Sequence, residues 1–109
     1  MFNRENITNT TVVLWEGRAK PGREEDLRNF IRSAVTASRN DTGCVDYEAH
    51  EVEGQVGTFI IYERWTSKEA LDAHLNAARM RELAPQFSEM IEGSIETGIR
   101  FLSPLRPSN

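Results

Sequence analysis

Thr58-Phe59-Ile60-Ile61-Tyr62-Glu63-Arg64-Trp65, running directly into Thr66-Ser67-Lys68-Glu69-Ala70-Leu71-Asp72-Ala73-His74-Leu75, is the stretch on which the fold turns. Its first eight residues are β-branched and aromatic, and Phe59 to Tyr62 are apolar on both alternating faces, which predicts an interior strand with a neighbour on each side. Thr66 and Glu69 have capping-box spacing, so a helix should open as soon as the strand ends. Ala70, Leu71, His74 and Leu75 then fall on one helical stripe. An interior strand feeding a helix that must return across the same sheet implies an α+β domain.

Working outward, Cys44 to Glu53 reads as a second strand, joined to the first through Gly54 and Gly57 as a hairpin. Before it, Leu27, Phe30, Ile31, Ala34 and Val35 recur at helical spacing, with Glu24, Glu25 and Asp26 where the helix dipole favours acids. Lys20-Pro21-Gly22 introduces this helix and Asn40-Asp41-Thr42-Gly43 ends it; Thr10 to Ala19 reads as the opening strand. On the other side, Met80, Leu83, Ala84, Phe87, Met90 and Ile91 keep the helical period, with an interruption expected at Pro85 and closure at Gly93. Ser94 to Leu102 alternates as a last strand, after which Pro104 and Pro107 forbid ladder pairing.

The order strand, helix, strand, strand, helix, strand is ferredoxin-like: an antiparallel sheet with its helices on one face. One domain is expected over residues 10–104, between a flexible segment 1–9 and a tail 105–109. Alternation assigns Val45, Tyr47, Ala49, Phe59, Ile61, Glu63, Trp65, Ile95, Ile99 and Phe101 to the helix-covered face. Asp46, Glu48, His50, Ile60, Tyr62, Arg64, Glu96 and Arg100 fall opposite. That mixture of charges and large apolar groups suits a homodimer of face-to-face sheets better than bare solvent.

Composition narrows the class further. A length of 109 residues, 39% hydrophobic and 28% charged, fits one domain. The formal charge of -4, from 13 basic and 17 acidic residues interspersed, leaves no basic stripe for nucleic acid. The run Val12-Val13-Leu14-Trp15 falls far short of the roughly 20 apolar residues of a membrane span. Met1 to Asn9 has no apolar signal core, and the single cysteine, Cys44, offers neither an intrachain disulfide nor a paired-thiol site. A cytoplasmic protein is expected.

Gly43-Cys44-Val45-Asp46-Tyr47, Tyr62-Glu63-Arg64-Trp65, Thr66-Ser67-Lys68-Glu69-Ala70-Leu71, Ala73-His74-Leu75 and Ile99-Arg100-Phe101-Leu102-Ser103-Pro104 occur in one order. Together they resemble the antibiotic biosynthesis monooxygenase domain family, in particular its quinol-monooxygenase-like members. The resemblance implies a dimeric α+β barrel with a pocket between sheet and helices, and oxidation of a small aromatic or quinol by O2 without cofactor or metal. It implies pocket roles for Trp65 and His50. Ile61 and Leu71 stand where anthrone-oxygenating members carry an asparagine and a tyrosine. Arg79 stands where quinol-type members often carry a second histidine, and no histidine matches the haem ligand of haem-degrading members.

Such chemistry needs a base, a dry aromatic pocket and a donor for developing negative charge. His74 has the right unperturbed pKa for the base; otherwise it is a histidine at the core edge bonded to backbone. Glu63, set by alternation among Phe59, Ile61 and Trp65, must find a partner or shift its pKa upward, serving catalysis or a structural hydrogen bond. Trp65 and Tyr47 offer stacking area and one donor each to a substrate, or simple core packing. His50 near Glu48 and Asp46 gives too few well-placed ligands for a metal site. The enzymatic rival is an isomerase of a small carbonyl or sugar-phosphate compound; the non-enzymatic one is a dimeric small-molecule-binding stress protein.

Overall fold

A computed structural model describes residues 8–108. Most of the expected segment 1–9, and the last residue of the expected tail, lie outside the described residues. The elements are β1 (Thr11–Arg18), α1 (Glu24–Ser38), β2 (Cys44–Glu51), β3 (Thr58–Trp65), α2 (Lys68–Leu75), α3 (Ala78–Met90), a 3-10 turn (Glu96–Gly98) and β4 (Ile99–Leu102). The four strands form an antiparallel sheet in the order β2-β3-β1-β4, the ferredoxin-like α+β arrangement. β3 is interior, paired with β1 and β2, as its two-faced apolar run requires.

Cross-strand register fixes which side chains share a face. Val13 stands opposite Glu63 and Phe101, Trp15 opposite Ile61 and Ile99, and Tyr47 opposite Glu63. This is the helix-covered face, whose core includes Val13, Trp15, Tyr47, Phe59, Ile61 and Trp65 with Leu27 and Ile31 of α1 and Leu71 of α2. The hairpin between β2 and β3 turns through Gly54 and Gly57 at φ 78° and 89°, values that L side chains avoid. Glu51 ties it to α1, accepting both Arg28 Nε at 2.8 Å and Gly57 N at 2.8 Å.

Four local expectations change. The N-cap of α2 is Ser67, whose Oγ accepts from Ala70 N at 3.1 Å, so the helix starts one residue later than the Thr66–Glu69 spacing suggests. The break in the second helical region falls at Asn76-Ala77, where Ala77 is extended; Pro85 lies inside α3. The last strand is only Ile99–Leu102, because Glu96–Gly98 winds into a 3-10 turn. A bulge between Cys44 and Asp46 takes Val45 out of the alternation, since Cys44 pairs with Trp65 and Asp46 with Arg64.

Candidate active site

Between the helix-covered face, α2 and α3 lies a cavity of about 270 Å3. β1 and β3 supply its floor through Val13, Trp15 and Ile61, while Phe87 of α3 and Phe30 of α1 close it from above. Phe87 packs against both aromatic rings, 4.8 Å from Trp15 and 5.6 Å from Phe30. The lining is apolar apart from Tyr47, Glu63, His74 and Glu96, and among the described residues no lysine or arginine lines it. A volume near the lower end of ligand pockets, with a few converging polar groups, is the form of a small-molecule site.

His74 is brought there by the helical stripe it shares with Leu71, both buried on the face of α2 that meets the sheet. Its Nδ1 donates to Asp41 Oδ2 at 2.7 Å. Asp41 sits in the turn between α1 and β2 and also accepts from Arg79 at the start of α3, Nη2 to Oδ2 at 2.8 Å and Nη1 to Oδ1 at 3.2 Å. The Arg79 hydrogen bond holds the Asp41 carboxyl below the usual carboxylate value. An ionised carboxylate can only accept, so the imidazole proton lies on Nδ1 and Nε2 keeps its lone pair. Burial lowers the His74 pKa, with the hydrogen bond to Asp41 acting in the opposite sense. A neutral imidazole with a fixed tautomer is a competent base.

Glu63 is buried, and its Oε1 accepts from Trp65 Nε1 at 3.0 Å. Burial pushes its carboxyl up to about 7, against the lowering effect of the indole N–H. Near neutrality such a group exchanges a proton readily in either direction. Tyr47 is a phenol throughout this range, because burial and the neighbouring Glu63 raise its pKa far above the ordinary value. Its ring meets His74 edge-on at 5.9 Å.

Of the residues singled out from sequence, His74, Glu63, Tyr47, Ile61 and Leu71 line this one cavity. Trp65 and His50 do not. Trp65 is completely buried behind two cavity residues, packing 4.6 Å from the His74 ring and giving Glu63 a hydrogen bond. His50 pairs with Ile60 and is exposed, one residue out of phase with Ala49 and Ile61, so strand parity carries it away from the cavity. Glu96, assigned by alternation to the far face, lines the cavity because the 3-10 turn breaks that alternation. Asp41 and Arg79 are the partners that sequence reading missed. They lie 33 and 5 residues from His74, and no periodicity connects a turn aspartate to a helix histidine. Cys44 is half-buried, and burial raises its thiol to about 11, which suits an inert side chain. Among the described residues no group of three potential ligands could hold a metal ion.

A four-stranded antiparallel sheet with its helices enclosing an apolar cavity, beside a carboxylate-oriented imidazole and a buried carboxyl, defines a ferredoxin-like α+β domain. The chain belongs to the antibiotic biosynthesis monooxygenase family, whose pattern it matches over residues 10–96. It is 29% identical over 83 residues to the uncharacterised protein sll1783 of Synechocystis, covering 76% of this chain and 52% of that one. The chain thus spans about half the length of that relative. Rv0793 of Mycobacterium tuberculosis, named as a candidate monooxygenase, is 24% identical over 99 residues, 91% of this chain and 95% of its own. Its solved structure superimposes with a TM-score of 0.80 at 23% identity over 92% of this chain and 99% of that one. PA3566 of Pseudomonas aeruginosa gives a TM-score of 0.81 at 23% identity, over 92% and 98%. These likenesses carry the fold.

Proposed function

We propose that the chain is a cofactor-independent monooxygenase that oxidises a small aromatic or quinol substrate with O2. The observation that carries this reading is the buried, Asp41-oriented His74 at the edge of an apolar cavity it shares with Glu63. Nε2 of His74 takes the substrate hydroxyl proton, and the resulting electron-rich anion reduces O2. One oxygen atom enters the substrate and the other leaves as water together with two substrate hydrogens, so the substrate supplies the electrons. A carbon–oxygen bond forms to give a substrate peroxide, to which His74 returns its proton. Glu63, its carboxyl raised by burial to about 7, protonates the outer oxygen as the O–O bond breaks and water leaves, and the C–H proton lost in forming the new C=O reprotonates Glu63. Tyr47 and Leu71 flank the ring, and the apolar walls keep out bulk water.

The reading extends to a homodimer joined through the helix-free sheet face and to a cytoplasmic setting. Leu14, Ile60 and Tyr62 are half-buried on that face, and among the described residues no helix is long and apolar enough to cross a membrane. The isomerase of a phosphorylated sugar is less well served, because the lining described above offers acids and no cation to a phosphate. Oxygen uptake by the purified protein against a panel of hydroquinones and anthrones, with metal and flavin analysis alongside, is the test. Turnover by colourless, metal-free protein is expected. Binding without turnover across the panel would favour the stress-protein reading, and activity dependent on a stoichiometric metal, flavin or haem would end the cofactor-free mechanism.

A further inference from the structure

We propose that Arg79 is a positioning residue that neutralises Asp41, so that Asp41 orients His74 without charging it and Nε2 stays unprotonated toward the cavity. The inference rests on the reading of His74 as the base, and it concerns how this chain keeps that base usable.

A carboxylate bonded to an imidazole does two things at once. It fixes the tautomer, and it stabilises the imidazolium, which can no longer accept a proton. In this chain the second effect is opposed by geometry. Arg79 spans both oxygens of Asp41, and its Nη2 shares Oδ2 with His74 Nδ1 at the same distance scale, 2.8 Å against 2.7 Å. The three groups sum to zero formal charge with the imidazole neutral and to plus one with it protonated. His74 is almost fully enclosed, with 1% of its side chain exposed, so that extra charge would have little water to stabilise it. Arg79 acts against imidazolium directly as well, as a nearby like charge.

The other charged or titratable groups facing His74 do not replace this control. From β2, Tyr47 remains a neutral phenol and Cys44, the first residue of that strand, remains a thiol. From β3, Glu63 has no cationic partner among the described residues and sits where its own ionisation is penalised by burial. On α2 itself, Lys68, Glu69 and Asp72 are exposed. Burial is the first cause that keeps the imidazole neutral, and among the charged groups it is the Asp41–Arg79 pair that acts on it; its members come from a turn and a helix start.

The test is the titration of the His74 ring, followed by NMR of its two nitrogens in the full chain, which needs no substrate. In the parent the proton should lie on Nδ1. Arg79→Gln should shift the titration midpoint upward, since Asp41 then acts on the imidazole unopposed. Asp41→Asn should shift it downward, since Arg79 remains and the carboxylate is gone. Arg79→Lys, which keeps the charge, should stay close to the parent. Arg79 is about one-third exposed, so its substitution leaves the core packing untouched. Shifts of the same sign in Arg79→Gln and Asp41→Asn, or no shift in Arg79→Gln, would overturn the proposal by reducing the pair to a structural clamp. Where a substrate turns over, Arg79→Gln should also move the acid limb of the oxygen-uptake profile to higher pH. If nothing turns over but the two midpoints separate as described, the oxygenase reading fails and the control of His74 by Arg79 stands.

Discussion

Glu63 and Arg64 are chain neighbours on β3, yet they meet opposite electrostatic fates. Glu63 points into the helix-covered face, where Trp65 gives it one hydrogen bond and burial drives its carboxyl toward the neutral form. Arg64, one residue on, points to the helix-free face and is held by Thr10, by the Tyr62 hydroxyl at 2.7 Å and by Asp46 at 3.5 Å. On that same face Arg100 meets Glu16 at 3.3 Å. The helix-free side thus pairs Arg64 and Arg100 with carboxylates, while on the covered side Glu63 meets burial with only a neutral indole N–H to answer it. Pairing suits a surface that stays put or meets another surface. Charges left partly unresolved in an enclosed cavity suit proton transfer.

The sharpest way to break the contrast is to remove one histidine from each face. His74→Ala should lower turnover by roughly 10²–10⁴, the usual range for losing a general base. His50→Ala, on the exposed side, should leave turnover unchanged. Oxygen uptake at saturating substrate separates the two. If His74→Ala keeps full activity, Glu63 or a water takes the proton and the assignment of the base is wrong.

A second effect concerns stability and has a definite sign. An unfolded glutamate loses its proton near 4.5, whereas folded Glu63 holds its proton to about 7. Between these values the folded chain binds more protons than the unfolded one, so stability is fully present below the window and is lost as pH rises through it. The loss above the window should be about 3 kcal/mol as an order of magnitude. His74 works the other way, because its lowered pKa makes its contribution present above the ordinary imidazole value and lost as pH falls. The difference between the parent and Glu63→Gln isolates the carboxyl, since Gln can still accept from Trp65. Urea midpoints measured on both sides of the window should diverge, with Glu63→Gln the more stable at the alkaline end. Parallel curves would mean that Glu63 is solvated or paired after all.

Much of this contrast is legible in the amino-acid sequence. Strand parity alone separates Tyr47, Ile61 and Glu63 from Ile60, Tyr62 and Arg64, because a two-residue period admits no intermediate answer. Both ends of β3 are legible too, since Gly57 and the cap region bracket its β-branched and aromatic run. Parity also argued against His50 as a cavity residue; family resemblance put it forward, and register sends it to the other side. Parity failed where the backbone leaves the pleat, at Val45 in the bulge and at Glu96 in the 3-10 turn. The Arg79–Asp41–His74 chain was out of reach for a different reason. Its members sit on a turn and two helices, and only the docking of α2 and α3 against that turn makes them neighbours.

The smallest effect tests whether the helix-free face is a joint between copies of this chain. Its middle carries Leu14 beside Tyr62, directly cross-strand, with Ile60 two positions along, all half-buried, while Glu48 and Glu16 at the edges are exposed. An apolar centre with a charged rim is the pattern of a protein interface. Tyr62 is its natural anchor, because an aromatic side chain held by Arg64 loses little further freedom on association. Tyr62→Ala should therefore raise the dimer dissociation constant about tenfold or somewhat more, corresponding to a loss of about 1–2 kcal/mol. Leu71→Ala on the covered face should leave association unchanged while weakening substrate binding. Sedimentation equilibrium over a concentration series reads the first effect, and substrate titration reads the second. A parent protein that stays monomeric at micromolar concentration would remove the joint outright. A dimer indifferent to Tyr62→Ala would move it to another surface, such as the edge of β4 where Phe101 and Leu102 are exposed.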